Sequence, residues 1–168
     1  MIRRSGASAL VALLLLLGGT ACRYGFSGGG LPRSIRTIAI VPFENQTPTP
    51  DLPREISTTL REEMGRRLGL REDAEARAHA VVRGTILRYE PDIPIGFSAD
   101  PNQSTTARRR LQIAVDITIV DQASGRTLLE RRGLSAEGEY AESAEANGRR
   151  QAIDKLVAQI IEGIQSQW

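Results

Sequence analysis

Apolar residues between positions 111 and 120 alternate with mostly polar ones, and this alternation is the clearest pattern in the chain. Its apolar members are Leu111, Ile113, Val115, Ile117 and Ile119. A period of two residues predicts a β-strand with one buried face. After a tight connection at 121–125, segment 126–136 predicts a more polar returning strand that suits a sheet edge. The register of this hairpin stays open, because either Leu128 or Leu129 could face inward.

Two other segments have the spacing of amphipathic helices. The first repeats every four residues, at Leu52, Ile56, Leu60, Met64 and Leu68. The second forms one stripe that ends near Trp168, at Ile153, Leu156, Val157, Ile160, Ile161 and Ile164. Ser143 is the predicted N-cap of this second helix, and Glu145 lies in its first turn, where a carboxylate is favourable for the helix dipole. Both stripes predict helices that bury one side.

Two earlier segments predict further strands. Segment 35–41 is short and rich in β-branched residues, which favours a strand. Segment 42–47 (PFENQT) follows it, and we interpret this segment as a strand exit and turn in preference to a contact site. Segment 78–89 predicts a second strand that is stopped by Pro91. Gly84 inside that strand indicates a bulge or a close backbone approach.

The predicted element order is β-α-β-β-β-α. Two one-sided helices and a sheet with one strongly apolar face predict an α+β fold, a two-layer sandwich of a four-stranded mixed sheet with two helices packed on one face. The initial β-α-β unit should cross over with a right hand. Segment 91–107 is a long connection between two strands, and such a loop is either a contact loop or a disordered connection.

The N-terminus has the layout of a secretory signal peptide. Arg3 and Arg4 precede an apolar run at 7–17 that is too short to cross a bilayer, and small residues then lead to Cys22. Cys22 is the only cysteine in the chain. A thiol at this junction predicts acylation, and the pattern resembles a bacterial lipobox, although Gly19 stands where Leu is favoured. The alternative is an ordinary signal peptide followed by a free cysteine.

These features predict three parts of the chain. Residues 1–21 are the predicted lipoprotein signal peptide, 22–33 the acylated N-terminus with a flexible tether, and 34–168 a single periplasmic α+β domain. Two or more acyl chains anchor a protein stably to a membrane. Because Arg23, and no Asp, follows the cysteine, we expect the lipid-anchored chain at the periplasmic face of the outer membrane.

Charge and motifs exclude several classes of function. Removal of 1–21 takes away Arg3 and Arg4 and leaves 20 basic against 20 acidic residues, so charge does not support nucleic-acid binding. Motifs for metal-dependent or serine hydrolysis, phosphate loops and paired-cysteine metal sites are absent from the sequence. The lone His79 is interpreted as a structural residue at the start of a strand. The sequence therefore predicts no enzyme, no cofactor and no metal.

Several segments together resemble the LPS-assembly lipoprotein (LptE) family. Cys22 is followed by Tyr24-Gly25-Phe26, and the similarity continues through Leu31-Pro32. It then includes IRTIAIVPFENQT at 35–47, the Gly84-containing strand and a terminal helix that closes on Trp168. Arg23 is a departure, since that family often has Gly there. The resemblance implies a non-enzymatic plug and chaperone inside the lumen of an LptD-type outer-membrane β-barrel. Such a protein helps the barrel to assemble and works with it to deliver lipopolysaccharide to the outer leaflet.

Two runs of arginine are the candidate anion sites. They consist of Arg108, Arg109 and Arg110, and of Arg131 and Arg132. Guanidinium groups bind phosphate with two parallel hydrogen bonds, and the lipid A of lipopolysaccharide carries phosphates. The other interpretation is that these arginines solvate strand ends and discourage aggregation. The two runs lie on strands that we expect to be neighbours.

A second class of function remains open at this point. The strand exit at 38–45 followed by a helix also resembles periplasmic lipoproteins with TolB N-terminal or curli-secretion (CsgG)-like domains. Such a chain would regulate a cell-envelope synthase or form part of a secretion pore. Tyr24-Gly25-Phe26 and Trp168 favour the lipopolysaccharide interpretation, and the partner that co-purifies from solubilised membranes would separate the two.

Overall fold

Three long antiparallel strands form the centre of the structure. The structure is a computed structural model, and it describes residues 31–32, 34–94, 108–141 and 144–166. The elements in chain order are β1 (Thr37–Ile40), β2 (Glu44–Asn45), α1 (Leu52–Leu68), β3 (Arg71–Glu72), β4 (Ala80–Pro94), β5 (Arg108–Asp121), β6 (Thr127–Ala141) and α2 (Glu145–Ser166). The predicted α+β class is confirmed. The signal peptide, Cys22 and most of the tether, together with Ser143 and Trp168, lie outside the described residues.

The strands form one mixed sheet in the order β3-β1-β4-β5-β6, with β2 paired to β4 beside β1. β1 runs parallel to β4, and α1 connects the two. β4, β5 and β6 pair antiparallel in sequence order. β6 is therefore an edge of the described sheet, as its polar pattern predicted.

Both helices contribute to one core on a single face of the sheet. Four residues of the predicted α1 stripe are fully buried: Leu52, Ile56, Leu60 and Met64. The α2 stripe from Ile153 to Ile164 is buried as well, and it shares a cluster with the five alternating apolar residues of β5. We call this the helix face. The opposite side, the open face, carries only a small apolar cluster around Ala39, Ala78 and Val81.

The prediction of four strands is wrong in number, because β2 and β3 add two-residue pairings. β2 follows the buried Phe43 and pairs in parallel with β4, and β3 follows the end of α1 and pairs in parallel with β1. A two-residue strand contains a single period of side-chain alternation, so the alternation never repeats. Such short strands therefore cannot be predicted from alternation in the sequence.

The predicted stop of the second strand at Pro91 is also wrong, since β4 continues to Pro94. The register of β4 against β5 shifts between Glu90 and Ile93, where three steps on β4 oppose two on β5. Proline has no backbone N–H, so a bulge is where a paired strand tolerates it. The Tyr140 hydroxyl donates a hydrogen bond to the Pro91 carbonyl and ties this bulge to β6.

The open register of the β5–β6 hairpin is resolved by a second irregularity. Ile119 pairs with Leu129 and Val120 with Thr127, which leaves Leu128 as an extra residue on β6. Both Leu128 and Leu129 are buried at 1% exposure. A regular strand would place the two leucines on opposite faces. Because of the bulge, both leucines face the core, and the strand does not have to bury one of them and expose the other.

Glycines mark two places where chain segments approach each other closely. A Cβ atom on Gly84 would overlap the ring of Phe43 and lie 2.9 Å from the backbone oxygen of Asp116, so both a side chain and the neighbouring backbone approach this glycine closely. The nearest bulge of β4 lies beyond it, between Ile86 and Arg88. A Cβ on Gly138 of β6 would overlap the carbonyl of Gly148 in the first turns of α2. Gly138 and Gly148 together let the start of α2 lie directly against the backbone of β6.

Candidate functional site

The first arginine run lies at the start of β5 and is divided between the two faces of the sheet. Arg109 is paired with Tyr140, whose side chain is buried, so Arg109 points towards the helix face. Arg108 and Arg110 alternate with it and point to the open face. A strand of period two cannot present three consecutive side chains on one side. The run therefore supplies two neighbouring guanidinium groups on the open face.

Both open-face members of this run have a carboxylate partner on β6. Arg110 lies 3.3 Å from Glu137, and Arg108 lies 3.9 Å from Glu139. Arg109 forms an ion pair with Asp92 in the β4 bulge. The Arg108 side chain is 75% exposed, and at that exposure a single pair contributes only about 0–1 kcal/mol to stability. The Arg108–Glu139 pair is thus weak enough for another anion to compete with the carboxylate.

The second run is divided in the same way. Arg131 is paired with the buried Ile117 and faces α2, where its guanidinium lies near Gly163. Arg132 points to the open face, and its Nη2 atom lies 2.9 Å from Glu130. Arg132 is the most exposed of the five candidate residues, with 83% of its side chain accessible.

The structure does not bring the two runs together. Their strands are neighbours, as predicted, but Arg131 pairs with Ile117, which is seven positions along β5 from Arg110. At about 3.3 Å per residue this separates the two runs by about 23 Å. One phosphate group cannot bridge that distance. Arg108 with Arg110, and Arg132 alone, are two distinct patches on the open face.

Ion pairs occur along most of the open face, beyond the arginine runs. Arg83 of β4 pairs with Glu75, and Arg88 lies 3.7 Å from Glu90 on the same strand. With the pairs of Arg108, Arg110 and Arg132, this face carries matched charges that largely cancel. The pairs Arg88–Glu90 and Arg132–Glu130 are two residues apart on one strand, whereas the partners of Arg108 and Arg110 on β6 are set by the strand register. Sequence reasoning missed those β6 partners for that reason.

A polar network connects the two helices at the other side of the molecule. The Tyr89 hydroxyl of β4 donates to Glu145 at 2.5 Å, and Arg149 of α2 lies 3.0 Å from Glu55 of α1 and 3.6 Å from Glu145. Burial and the hydrogen bond to Glu145 raise the pKa of Tyr89 from 10.0 to about 12. The hydrogen bond with Tyr89 and the charge of Glu55 raise the pKa of Arg149. The neutral phenol and the ionised pair hold β4, α1 and α2 together.

Two sequence features of ambiguous role have structural partners. Asn45 of the PFENQT segment accepts hydrogen bonds from the backbone and hydroxyl of Thr47, at 3.0 and 2.8 Å, and donates to the Thr49 carbonyl at 2.9 Å. The segment is therefore a side-chain-stabilised turn. The His79 ring lies 2.6 Å from the Thr37 hydroxyl, which also accepts the His79 backbone N–H. This contact fits a structural histidine.

Membrane and metal features can be assessed for the described ranges only. Within them, no helix combines the length and apolarity needed to span a bilayer. The same ranges contain no group of three or more histidine, cysteine or acidic side chains placed to hold a metal ion. The candidate lipidation site Cys22 lies outside these ranges, so its acylation stays a prediction.

The fold and the site together define a class of protein. It is a one-sided α+β domain with helices on one face of a mixed sheet, and with an open face of paired charges that suits contact more than catalysis. The family model for lipopolysaccharide assembly (LptE) matches residues 35–168. The chain belongs to this family of lipopolysaccharide-assembly lipoproteins. No curated protein sequence matches it closely enough to add to that assignment.

Solved structures share the fold at low sequence identity. The PelC dodecamer from Paraburkholderia phytofirmans is 17% identical with a TM-score of 0.53, over 83% of this chain and 95% of that one. Protein XCC0632 from Xanthomonas campestris is 10% identical with a TM-score of 0.53, over 79% of this chain and 86% of that one. A minor lipoprotein from Acinetobacter baumannii is 21% identical over 81% of this chain and 95% of that one, with a TM-score of 0.46 that does not by itself establish a common fold.

Proposed function

We propose that this chain is the non-enzymatic lipoprotein that plugs an LptD-type outer-membrane β-barrel, helps the barrel to assemble and assists delivery of lipopolysaccharide to the outer leaflet. The observation that carries the proposal is the family match, which covers both helices and all six strands of the described domain. Membership of a lipopolysaccharide-assembly family supplies the process. The physical properties of the domain support the specific role of a plug.

The open face is the surface that we assign to the barrel wall. The lumen of an outer-membrane barrel is lined by polar side chains. A plug surface must therefore be polar without carrying a large net charge, so that it can lose water against a mixed wall. The open face meets both conditions, because its arginines are matched by carboxylates such as Glu137 and Glu139.

Acylation of Cys22 would hold the domain at the periplasmic face of the outer membrane. The predicted tether reaches the described domain at Leu31, which packs against the core. Each buried methylene of an acyl chain contributes about 0.8 kcal/mol, so more than one chain gives stable anchoring. The Cys22→Ala variant should leave the membrane fraction, and intact-mass analysis of the native chain should show the added acyl groups.

Co-purification from solubilised membranes tests the plug directly. We expect the native chain to recover a large outer-membrane β-barrel protein in an equimolar complex. A variant with reversed charges on the open face, Glu137→Arg/Glu139→Arg, should lose that barrel while keeping its own fold by circular dichroism. The matched variant Glu62→Arg/Glu162→Arg changes the same charges on exposed positions of the two helices and should retain it.

Recovery of a peptidoglycan synthase or of a self-oligomer in place of a barrel would overturn the plug and support the regulator or secretion-pore function instead. PelC, whose fold is similar, was solved as a dodecamer. A ring of this chain alone is therefore an outcome that the native mass of the complex must distinguish.

Binding of lipid A phosphates is the proposed role of Arg108, Arg109, Arg110, Arg131 and Arg132. We propose unequal parts for these residues, according to the face on which each lies. Arg108 and Arg110 are neighbours on the open face and can bind one phosphate together, whereas Arg132 would form a separate contact. Arg109 and Arg131 point to the helix face, so their contribution would be to position the strands that carry the other three.

Charge-neutral substitutions test this assignment. Arg108→Gln/Arg110→Gln should weaken lipopolysaccharide binding at low salt by more than tenfold, because each charge-assisted hydrogen bond to phosphate is worth about 1.5–3 kcal/mol. The remaining affinity should depend less on salt. Arg67→Gln/Arg71→Gln removes the same charge from exposed positions elsewhere and is the control. Equal affinities of the two variants would show that the β5 arginines only solvate the sheet.

A further inference from the structure

β6 gives the sheet an edge of 15 residues, Thr127–Ala141. The residues of β6 whose side chains point to the open face direct their backbone N–H and C=O groups away from β5. A row of such groups is a template for pairing with another strand, and proteins that stay unassociated need a device against it. The contacts of these outward backbone groups therefore decide whether the edge is open.

Towards the end of β6, three successive outward positions have partners from the chain that follows. The Lys155 ammonium donates to the Glu137 carbonyl at 3.0 Å, and the Glu139 N–H donates to the side-chain oxygen of Gln151 at 2.8 Å. The Ala141 carbonyl accepts the N–H of Ala144 at 2.8 Å, in the turn that leads to α2. Both side-chain partners come from α2, and they are four residues apart.

The middle of β6 is protected differently. Gly133 has a left-handed backbone with φ of 60°, and its N–H donates to the Asp116 carboxylate at 2.7 Å. The register against β5 shifts at this point, between the Val115 and Ile117 pairings. Three residues before Gly133, the Glu130 carbonyl accepts a hydrogen bond from the Arg131 guanidinium at 3.2 Å. A bulge and a capped carbonyl blunt this part of the edge without removing it.

The spacing of Gln151 and Lys155 fits this purpose. Residues i and i+4 lie on the same side of a helix, and positions 137 and 139 are successive outward positions on the strand. An amide can accept from an N–H, and an ammonium can donate to a carbonyl. Lys155 is the only lysine in a chain that otherwise uses arginine. A compact ammonium can meet one carbonyl, whereas a planar guanidinium is shaped for a carboxylate or phosphate.

We propose that Gln151 and Lys155 are edge guards: they occupy the outward backbone groups of β6 and keep a second copy of this chain from adding its own β6 to the sheet. The second copy is the occupant with the right chemistry. An antiparallel β6 pairing about Ala136 places Glu137 opposite Ser135 and brings Glu139 next to the bulge that carries Arg132. Glu139 of each copy then lies beside Arg132 of the other copy, and this is the opposite-charge contact of the pairing.

The experiment compares sedimentation of the full processed chain in detergent over a range of concentrations. Gln151→Ala/Lys155→Ala should form dimers or larger species at concentrations at which the unaltered chain shows none of that association. The Glu139 amide of dilute, monomeric variant should exchange with solvent about fivefold faster, the factor that one ordinary hydrogen bond supplies. The control is Arg150→Ala, which removes one cation from an exposed position on another side of the same helix.

A rescue separates edge pairing from general destabilisation. The Glu139 N–H points away from β5, so Glu139→Pro removes an outward donor without removing a ladder hydrogen bond. Adding it to the double variant should abolish the association, while Gln151→Glu alone, which retains an acceptor oxygen, should not cause association. The proposal is overturned if the double variant remains monomeric, or if it associates as strongly with Glu139→Pro as without it.

Discussion

The two faces of the same sheet are built on opposite principles. On the helix face, β5 contributes Leu111, Ile113, Val115, Ile117 and Ile119, all at most 1% exposed. On the open face, the same strand carries Arg108, Arg110 and Asp116, and Arg110 and Arg108 are paired with Glu137 and Glu139 of β6. Burial of a large apolar side chain contributes about 1.5–3 kcal/mol, whereas an exposed ion pair contributes about 0–1 kcal/mol. The helix face therefore determines stability, and the open face can change with little effect on the fold.

The largest effect should come from truncating the core at the helix face. Ile117→Ala and Ile160→Ala each remove a side chain that is at most 1% exposed, and each should cost about 2–5 kcal/mol. Thr118→Ala, on the open face one residue from Ile117, should cost less than about 1 kcal/mol. Chemical unfolding of all three variants measures the difference. Similar losses at 117 and 118 would contradict the contrast between the faces.

A second test concerns the place where α2 meets β6 without an intervening side chain. Gly138→Ala puts a methyl group against the Gly148 carbonyl, and overpacking of this kind typically costs about 1–3 kcal/mol. The backbone of α2 cannot move aside as a side chain does.

Gly163→Ala is the matched control, because its added Cβ would lie 3.3 Å from a flexible leucine methyl of Leu129. It should be close to neutral or stabilising by up to about 1 kcal/mol, since alanine favours the helix. Thermal melts of the two variants give the comparison. Equal melting temperatures would show that the Gly138 contact is less tight than the structure has it.

The smallest effect is a pH dependence at the border of the helix face. The pKa of Tyr89 is raised to about 12 in the folded protein, above its ordinary 10.0, so the native state holds its proton more strongly than the unfolded chain. The stability that this phenol contributes is fully present below pH 10 and is lost as the pH rises towards 12. The loss should stay below about 1 kcal/mol, because solvent screens a partly exposed group.

Tyr89→Phe tests the origin of this slope. The variant should be less stable than the native protein at pH 8, and its stability should fall less steeply between pH 10 and 12. Burial also raises the pKa of Tyr140, but that residue is present in both proteins and cancels in the comparison. An identical slope in the two proteins would exclude Tyr89 as its source.

Sequence reasoning succeeded where a pattern repeats and failed where a single contact decides. The stripes of α1 and α2 and the alternation of β5 each extend over ten or more residues, so burial on one side is overdetermined. β2 and β3 have two residues each, and the continuation of β4 past Pro91 depends on a bulge that no periodicity reveals. The two leucines at 128 and 129 are buried together for the same reason.

The candidate site shows the same division. The arginine runs can be identified directly in the sequence, and the strands that carry them were predicted to be neighbours. Which face each arginine occupies follows from alternation once a strand is established, and so does the pair of Arg132 with Glu130 on the same strand. The partners Asp92, Glu137 and Glu139 depend on the register of three strands. The distance between the runs also depends on that register. Gln151 and Lys155 have no sequence signature, because their role is defined by the strand that they touch.

The parallel pairing of β1 with β4 also has a consequence for the order of folding. Strands β4, β5 and β6 and helix α2 follow one another along the chain and contact their immediate neighbours, so this part closes shorter loops than the pairing of Ile38 in β1 with Ala80 in β4. β1 pairs with β4 only after the chain has passed through α1 and β3, and such distant contacts form more slowly. β1, the strand nearest in sequence to the predicted lipid anchor, should therefore be the last to pair, and it should add to a sheet that residues 80–166 have already formed.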